Sequence, residues 1–314
     1  MRRVNCVRHL FLPAVLAGVF WLLPFAVHAQ TTNTFFQQGL TNYAKSEWPA
    51  AITNFTHAIQ DGDHLYESYG DRAYAEANSG DTNAALADCN QQVKLSPDYS
   101  GAYYWRARVE LIFTNTDQAL ADFRLGLTTN PRNRPDDVAE DLSVRLYHRA
   151  FARYTNEDFA GAIAGLDQVA GLTTNFPGHL WLRAWIHILQ NKDDAALADA
   201  TQVIKWNPQY TSGYELRAWA RFGRGDAAGA REDVLRVTGM WVESIREKPV
   251  DNLVFYRPDF ELTLGLQAYL NQDYPKAADA WNNQLVLLPQ CPAPFRKFIQ
   301  SWIEKAQAQQ QRPH

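Results

Sequence analysis

Alanine recurs at one place in seven successive stretches of this chain: Ala51, Ala85, Ala119, Ala162, Ala196, Ala230 and Ala277. Each follows another small residue by twelve positions, namely Gly39, Ala73, Ala107, Ala150, Ala184, Ala218 and Gly265. A register kept seven times constrains the fold more than length does. A unit this small cannot bury its own apolar face, so neighbours must stack and share a core. The units begin near Thr32, Tyr66, Ser100, Ser143, Pro177, Thr211 and Pro258, and four of the six intervals are 34 residues. The 314 residues, 46% hydrophobic and 20% charged, suit a folded protein, and the repeats override the two-domain expectation from length.

The stretch Gly178 to Tyr210 shows one unit: two helical patterns flank the polar turn Gln190-Asn191-Lys192-Asp193, and Pro208 closes it. Each helix spans roughly 20 Å at 1.5 Å per residue, and the two pack antiparallel across the turn. Close crossing needs small side chains, so a larger residue at Ala196 costs about 1–3 kcal/mol through overpacking. Four positions after each alanine, Phe55, Cys89, Phe123, Leu166, Ala200, Val234 and Trp281 are expected to point inward. Pro97, Pro131, Pro208 and Pro289 end their units, since proline lacks the N–H that a continuing helix needs.

A second pattern couples the two helices. Arg72, Arg106, Arg183 and Arg217 precede the small residue in units where Asp88, Asp122, Asp199 and Asp233 stand sixteen positions later. The first unit carries Gln38 and Asn54 there, and the last carries Leu264 and Ala280. Residue types that change together imply contact across the hairpin. Unit four sets Arg149 against Gly165, and Asp167 is the expected substitute partner.

The small-residue, alanine and proline register resembles the tetratricopeptide repeat family over about 240 residues. The early aromatic of that family's first helix is matched by Phe35, Tyr69, Tyr103 and Tyr214, by Leu146 and Leu180 in two units, and is blurred at Phe260-Glu261. The resemblance implies an all-α solenoid, a right-handed superhelix of about seven helix hairpins. Repeats one to three then occupy 32–133, four to six 143–239, and seven 258–291. Residues 134–142 and 240–257 are read as insertions, either loops or extended helix ends; the second holds Trp241, Phe255 and Tyr256. Residues 292–311 form a capping helix, with Phe295, Phe298, Ile299 and Trp302 on its apolar face.

Residues 1–29 read as a secretory leader: Arg2, Arg3 and Arg8, an apolar run from Leu10 to Phe25, then Val27-His28-Ala29 before a cleavage point. The expectation is export to a periplasmic or secreted location, with no stable membrane span after cleavage. Losing three arginines makes a formal net charge of −4 more negative still, which argues against nucleic acid as the partner. Cys89 and Cys291 fall in distant units, so Cys89 is expected in the core and Cys291 as a free thiol.

No constellation for catalysis stands out: there is no phosphate loop and no HExxH. His179 and His187 share a helix without a third ligand, so no metal and no cofactor are expected. Asp193 and Asp194 read as charges at a helix N-terminus. Asn54-Phe55-Thr56 matches a glycosylation acceptor but places Phe55 in the core. The chain is therefore read as a non-enzyme.

In the family, the first helices line a concave groove that holds an extended or helical peptide. Carried onto this sequence, the groove positions are Tyr74, Tyr104, Arg108, Tyr147, Phe151, Tyr154, Trp181, Trp185, Trp219 and Phe222. Phe36, Tyr43, Leu266 and Tyr269 extend the same row. An aromatic floor buries much area at little entropic cost, which suits apolar side chains of a protein or peptide partner. The same rings stack on sugars, so a carbohydrate-binding module is the alternative. An enzyme ranks third, and self-association is compatible with any of these.

Overall fold

The computed structural model describes residues 34–172, 178–247 and 257–311, with the side chains of 34–172, 178–243 and 261–311. The leader, the unit starts Thr32 and Pro177, and Phe255 and Tyr256 lie outside those residues. Among the described residues there are fifteen helices and no strand. Unit one is α1 (Phe35–Ala44) with α2 (Trp48–Gln60), and unit two is α3 (Leu65–Ser79) with α4 (Thr82–Leu95). Unit three is α5 (Ser100–Ile112) with α6 (Thr116–Thr129), and unit four is α7 (Asp136–Thr155) with α8 (Phe159–Leu172). Unit five is α9 (Gly178–Leu189) with α10 (Asp193–Trp206), and unit six is α11 (Thr211–Gly223) with α12 (Ala227–Glu247). Unit seven is α13 (Arg257–Leu270) with α14 (Tyr274–Leu287), and α15 (Ala293–Gln310) follows. The architecture is an all-α solenoid of helix hairpins. None of these helices is long and apolar enough to cross a membrane.

Why the hairpins close is visible at the crossing points. All seven register alanines are fully buried, and so is the residue four positions after each. Bulk is balanced across the pair. Where the first helix has glycine, the second has a large ring: a Cβ on Gly39 would lie 2.5 Å from Phe55, and one on Gly265 would lie 2.1 Å from Trp281. Where the first helix has Ala150 or Ala184, the second carries Leu166 or Ala200.

Each hairpin turn holds one residue in the left-handed region, always seven positions after the small residue: Ser46, Gly80, Thr114, Glu157, Asn191, Gly225 and Gln272. Only two of these are glycines, so five turns accept a conformation that costs an L-residue roughly 1–2 kcal/mol. In two of those five turns, and in both glycine turns, a carboxylate caps the helix that follows. Asp81, Asp158, Asp226 and Asp273 accept the backbone N–H three residues on, at 2.8–3.3 Å.

The described parts of the two stretches set apart as insertions are mostly helix. Residues 134–142 are helical from Asp136, because Val138, Ala139 and Leu142 fall on one face and bury against unit three. Met240 and Trp241 continue α12 and are buried.

The Arg–Asp pairs form between the two helices of units two, three, five and six. Arg72 donates to Asp88 at 2.6 and 2.8 Å, and Arg106 to Asp122 at 2.6 and 2.7 Å. Arg183 donates to Asp199 at 2.7 and 2.9 Å, and Arg217 to Asp233 at 2.6–3.1 Å. Several of these arginines also reach back sixteen residues into the preceding unit: Arg72 to Thr56, Arg106 to Asn90, Arg183 to Asp167. One guanidinium thus stitches a hairpin and a seam together. Asp167 therefore does not serve Arg149, contrary to the sequence expectation. Arg149 donates instead to Asp117 at 2.8 and 2.9 Å, on the second helix of unit three. The lengthened α7 changes the spacing, so the sixteen-residue step back no longer reaches that helix. In unit one, Asn54 donates to Asn42 at 2.9 Å.

Glu76 sits inside this network, buried and 3.6 Å from the Arg72 guanidinium. Burial, and next the charge on Asp88, push its carboxyl from 4.5 up to about 7. The folded chain thus holds a proton that the unfolded chain releases between those values. Stability from this group is complete below the unfolded value and declines as pH rises toward 7. Glu76→Gln is expected to gain stability over the parent by about 1–3 kcal/mol at pH 8, and little at pH 4.5. Urea unfolding at both values checks it; an equal gain at both would refute the assignment. Asp71, raised to about 6 by burial and then by Glu67, is common to both proteins and cancels in the comparison.

Candidate functional site: the concave face

First helices of successive units lie against one another, as α3 does against α5, α5 against α7, and α9 against α11. Second helices make no comparable contact with each other, so first helices line the inside of the curve. The ten residues expected on that face divide into four environments.

Toward the N-terminus, Tyr74 and Arg108 wall a cavity of about 400 Å³ with Tyr43 and Trp105. The rings form a chain: Tyr43 to Tyr74 at 5.5 Å, then Tyr74 to Trp105 at 6.1 Å. Burial, and then the neighbouring Tyr74, push the Tyr43 hydroxyl up to about 12, so it stays a neutral donor. Arg108 is not a free cation. Its guanidinium holds Asp137 with bonds of 2.7–3.0 Å and lies 5.3 Å above the Trp105 ring. Asp137 comes from the helical extension of α7, so that stretch supplies a wall of the cavity.

Tyr104 belongs elsewhere. It is buried in the hairpin core of unit three, its ring 5.5 Å from Phe123. The room comes from Gly126, where a Cβ would lie 2.4 Å from the Tyr104 ring. Its neighbour Trp105 faces the cavity instead. The signal that locates Trp105 is a large ring directly opposite Tyr74 on the next first helix.

In the middle, Phe151, Tyr154, Trp181 and Trp185 come together around a second cavity, of about 550 Å³. Tyr154 and Trp185 are buried, whereas Phe151 and Trp181 are partly open. Burial raises the Tyr154 hydroxyl well above its ordinary range. Tyr147 stands beside them, its ring 6.4 Å from Phe151.

Toward the C-terminus the face is covered by the chain itself. α15 lies against α14 and also reaches α7 and α9. It carries two apolar faces. Ile299, Ile303 and Ala306 seal unit seven, as a capping helix should. Phe295, Phe298 and Trp302 turn toward the curve, where Phe298 meets Trp185 at 5.9 Å and Trp219 at 5.0 Å. Trp302 meets Trp219 at 5.5 Å and Phe222 at 5.3 Å. Lys297 pairs with Glu157 in the turn of unit four, across 140 residues of sequence. Trp219 and Phe222 are therefore under α15 and not on an open floor. Sequence periodicity identifies the cap but not its second contact, since the return depends on the curvature of the whole stack.

His179 is buried, and His187 lies 3.9 Å from Asp199 beside the Arg183 pair. Cys89 is buried and Cys291 half-buried, both as free thiols. Among the described residues, no group of three or more His, Cys, Asp or Glu side chains is placed to hold a metal.

With the geometry in hand, comparison with known proteins is specific about the repeat. A tetratricopeptide repeat model matches residues 66–99, which are unit two. A DnaJ homolog subfamily C member 3 from Gallus gallus is 26% identical over 184 residues, covering 57% of this chain and 36% of the relative. A serine/threonine-protein phosphatase T from Aspergillus oryzae is 32% identical over 101 residues, covering 32% of this chain and 21% of the relative. The chain thus spans about a third of the first and a fifth of the second. Among solved structures, the C-terminal part of a TPR repeat-containing protein from Cytophaga hutchinsonii aligns with a TM-score of 0.48 at 14% identity, covering 83% of this chain and 98% of that one.

Proposed function

We propose that this chain is an exported, non-enzymatic scaffold of tetratricopeptide hairpins that holds a helical or extended segment of a protein partner on its concave face. One observation carries the reading. α15 already lies on that face in units five to seven, seating Phe298 and Trp302 among Trp185, Trp219 and Phe222. The surface is thus complementary to an amphipathic helix with aromatic anchors. The N-terminal cavity offers the same chemistry through Tyr43, Tyr74 and Trp105, with the Arg108–Asp137 pair at its rim. Aromatic anchors in such pockets dominate binding energy. The match to the tetratricopeptide model supports the scaffold role. The leader pattern at 1–29 is the basis for export.

The test is capture. The immobilised protein and a Tyr74→Ala/Trp105→Ala variant of equal helicity are exposed to an extract of the native compartment. A protein retained by the parent and lost from the variant is the expected result. Retention by neither, or by both alike, refutes a partner site on this face; retention of cell-wall glycan alone points to the carbohydrate reading. N-terminal sequencing of the protein recovered from fractionated cells checks export, with Gln30 as the expected first residue.

A further inference from the structure

Four half-buried rings from three units meet at the N-terminal cavity: Tyr43 and Trp48 of unit one, Tyr74 of unit two and Trp105 of unit three. Neighbouring centroids are 5.5–6.3 Å apart and the planes cross at 41–84°, so the rings are inclined to one another and not stacked flat. The faces of tyrosine and tryptophan rings carry negative charge density and attract cations. The cavity already shows that chemistry, since the Arg108 guanidinium lies 5.3 Å above the Trp105 ring.

The charges around the rings are not all answered. Two arginines line the cavity and each is engaged, Arg108 by Asp137 at 2.7–3.0 Å and Arg145 by Asp141 at 2.8 Å. Asp71 is different. It stands one turn before Tyr74 on α3, on the same side of the helix, and is half-buried. Burial, and then the exposed Glu67, raise its carboxyl from 3.8 to about 6, and no cation among the described residues pulls it back down. Its charge also reaches Tyr43, where it follows burial and Tyr74 as a cause of that hydroxyl's rise. A half-desolvated carboxylate thus lies beside rings that favour positive charge. An acidic group entering there would add to Asp71 and Glu67 and find both arginines engaged. An uncharged group would cover Asp71 without compensating it. A long basic side chain meets both demands, because its stem packs on apolar surface while its end carries the charge. We infer that the N-terminal cavity takes a lysine or arginine side chain of the partner, its stem across Tyr43, Tyr74 and Trp105 and its charge at Asp71. This rests on the partner reading and adds the sign of the anchor. The chain's excess of acids, 34 Asp and Glu against 30 Lys and Arg, favours the approach of such a partner.

The test titrates the full chain with the amides of N-acetyl-lysine and N-acetyl-arginine, followed by ligand-observed NMR. N-acetyl-norleucine amide is the uncharged counterpart and N-acetyl-glutamate amide the acidic one. The basic pair should bind at least fivefold more tightly than either control, and the preference should shrink as salt is added. Asp71→Asn keeps the shape and removes the charge, so it should bring the basic pair down to the norleucine level. Tyr74→Leu keeps Asp71 but removes a ring face, and should weaken the basic pair at least threefold. Equal binding of the lysine and norleucine amides, tighter binding of the glutamate amide, or an unchanged preference in Asp71→Asn overturns the basic anchor. Tighter binding of tetramethylammonium than of either basic amide would assign the rings to a free quaternary amine and overturn it too. Should Asp71→Asn not fold, Tyr74→Leu and the norleucine comparison still decide. In the capture experiment, Asp71→Asn should lose the protein that the parent retains. If it retains that protein equally well, the partner surface stands and the basic anchor falls. If the parent captures nothing, the partner reading fails by itself and the amide series decides whether the cavity holds basic residues.

Discussion

Trp281→Ala is expected to lower the unfolding free energy of the C-terminal units by about 3–5 kcal/mol, the range for truncating a large buried ring. Trp281 is fully buried, and its indole N–H donates to the Leu262 carbonyl at 3.3 Å. The opposing residue is Gly265, so nothing on α13 is available to fill the space. Three further rings lose a neighbour: Tyr269 at 5.9 Å, Trp219 at 6.1 Å and Trp302 at 6.1 Å. The damage therefore spreads to the side of α15 that faces the curve. Denaturant unfolding followed by tryptophan emission and helicity measures it. A loss under about 1 kcal/mol would mean that the site collapses freely and that Gly265 is not a notch for this ring. The double change Gly265→Ala/Trp281→Leu recreates the Ala150–Leu166 pairing of unit four and should recover part of the loss, since cores tolerate volume-conserving exchange.

How much of this was readable beforehand depends on the range of the interaction. Ala51 and its six counterparts announce themselves because the crossing is local to one hairpin, and spacing alone reports it. The Arg–Asp pairs are legible for the same reason. Their reach into the preceding unit, such as Arg183 to Asp167, keeps a sixteen-residue step only with unbroken 34-residue spacing; at unit four, where α7 is longer, the step becomes the 32 residues from Arg149 to Asp117. The left-handed turn residues have no signature at all: Ser46, Thr114, Glu157, Asn191 and Gln272 share no side-chain property, because position and not identity imposes the conformation.

The concave face was harder to read because side chains one step apart on a helix face different neighbours. Tyr104 and Trp105 are adjacent in sequence, yet the first enters the space above Gly126 and the second meets Tyr74. Deciding between them requires knowing that Gly126 leaves a gap on the other helix. The return of α15 onto Trp185 and Trp219 lies still further from sequence, because superhelical curvature accumulates over three units before Phe298 meets those rings. The consequence for function is direct. Half of the expected groove is lined by side chains that serve the fold, so only the sectors around Tyr74 and Trp181 can be altered without first disturbing the stack.

Asp233→Ala should be as costly as the loss of Trp281, for an electrostatic reason. Asp233 is almost wholly buried and takes hydrogen bonds from two arginines, Arg217 and Arg221, the latter at 2.9 Å. Removing the carboxylate takes away the one buried counter-charge shared by two partly buried guanidiniums and leaves Arg221 only the exposed Glu232 and Asp226. Breaking a buried pair from one side typically costs about 3–5 kcal/mol. Arg217 also covers the Tyr214 ring at 5.3 Å, so its displacement would unsettle the start of α11 as well. In a solenoid the loss is felt by the unit and its immediate neighbours. Hydrogen exchange should therefore speed up most in α11 and α12 and least in α1 to α4. Arg217→Met/Asp233→Leu is the informative companion. If the pair serves register more than stability, the double variant unfolds within about 1–2 kcal/mol of the parent, because an apolar pair of similar volume removes the desolvation cost along with the attraction. A double variant as weak as Asp233→Ala would instead place the stabilisation in Arg221, whose remaining contacts to the Gly229 carbonyl and Glu232 cannot replace the lost carboxylate.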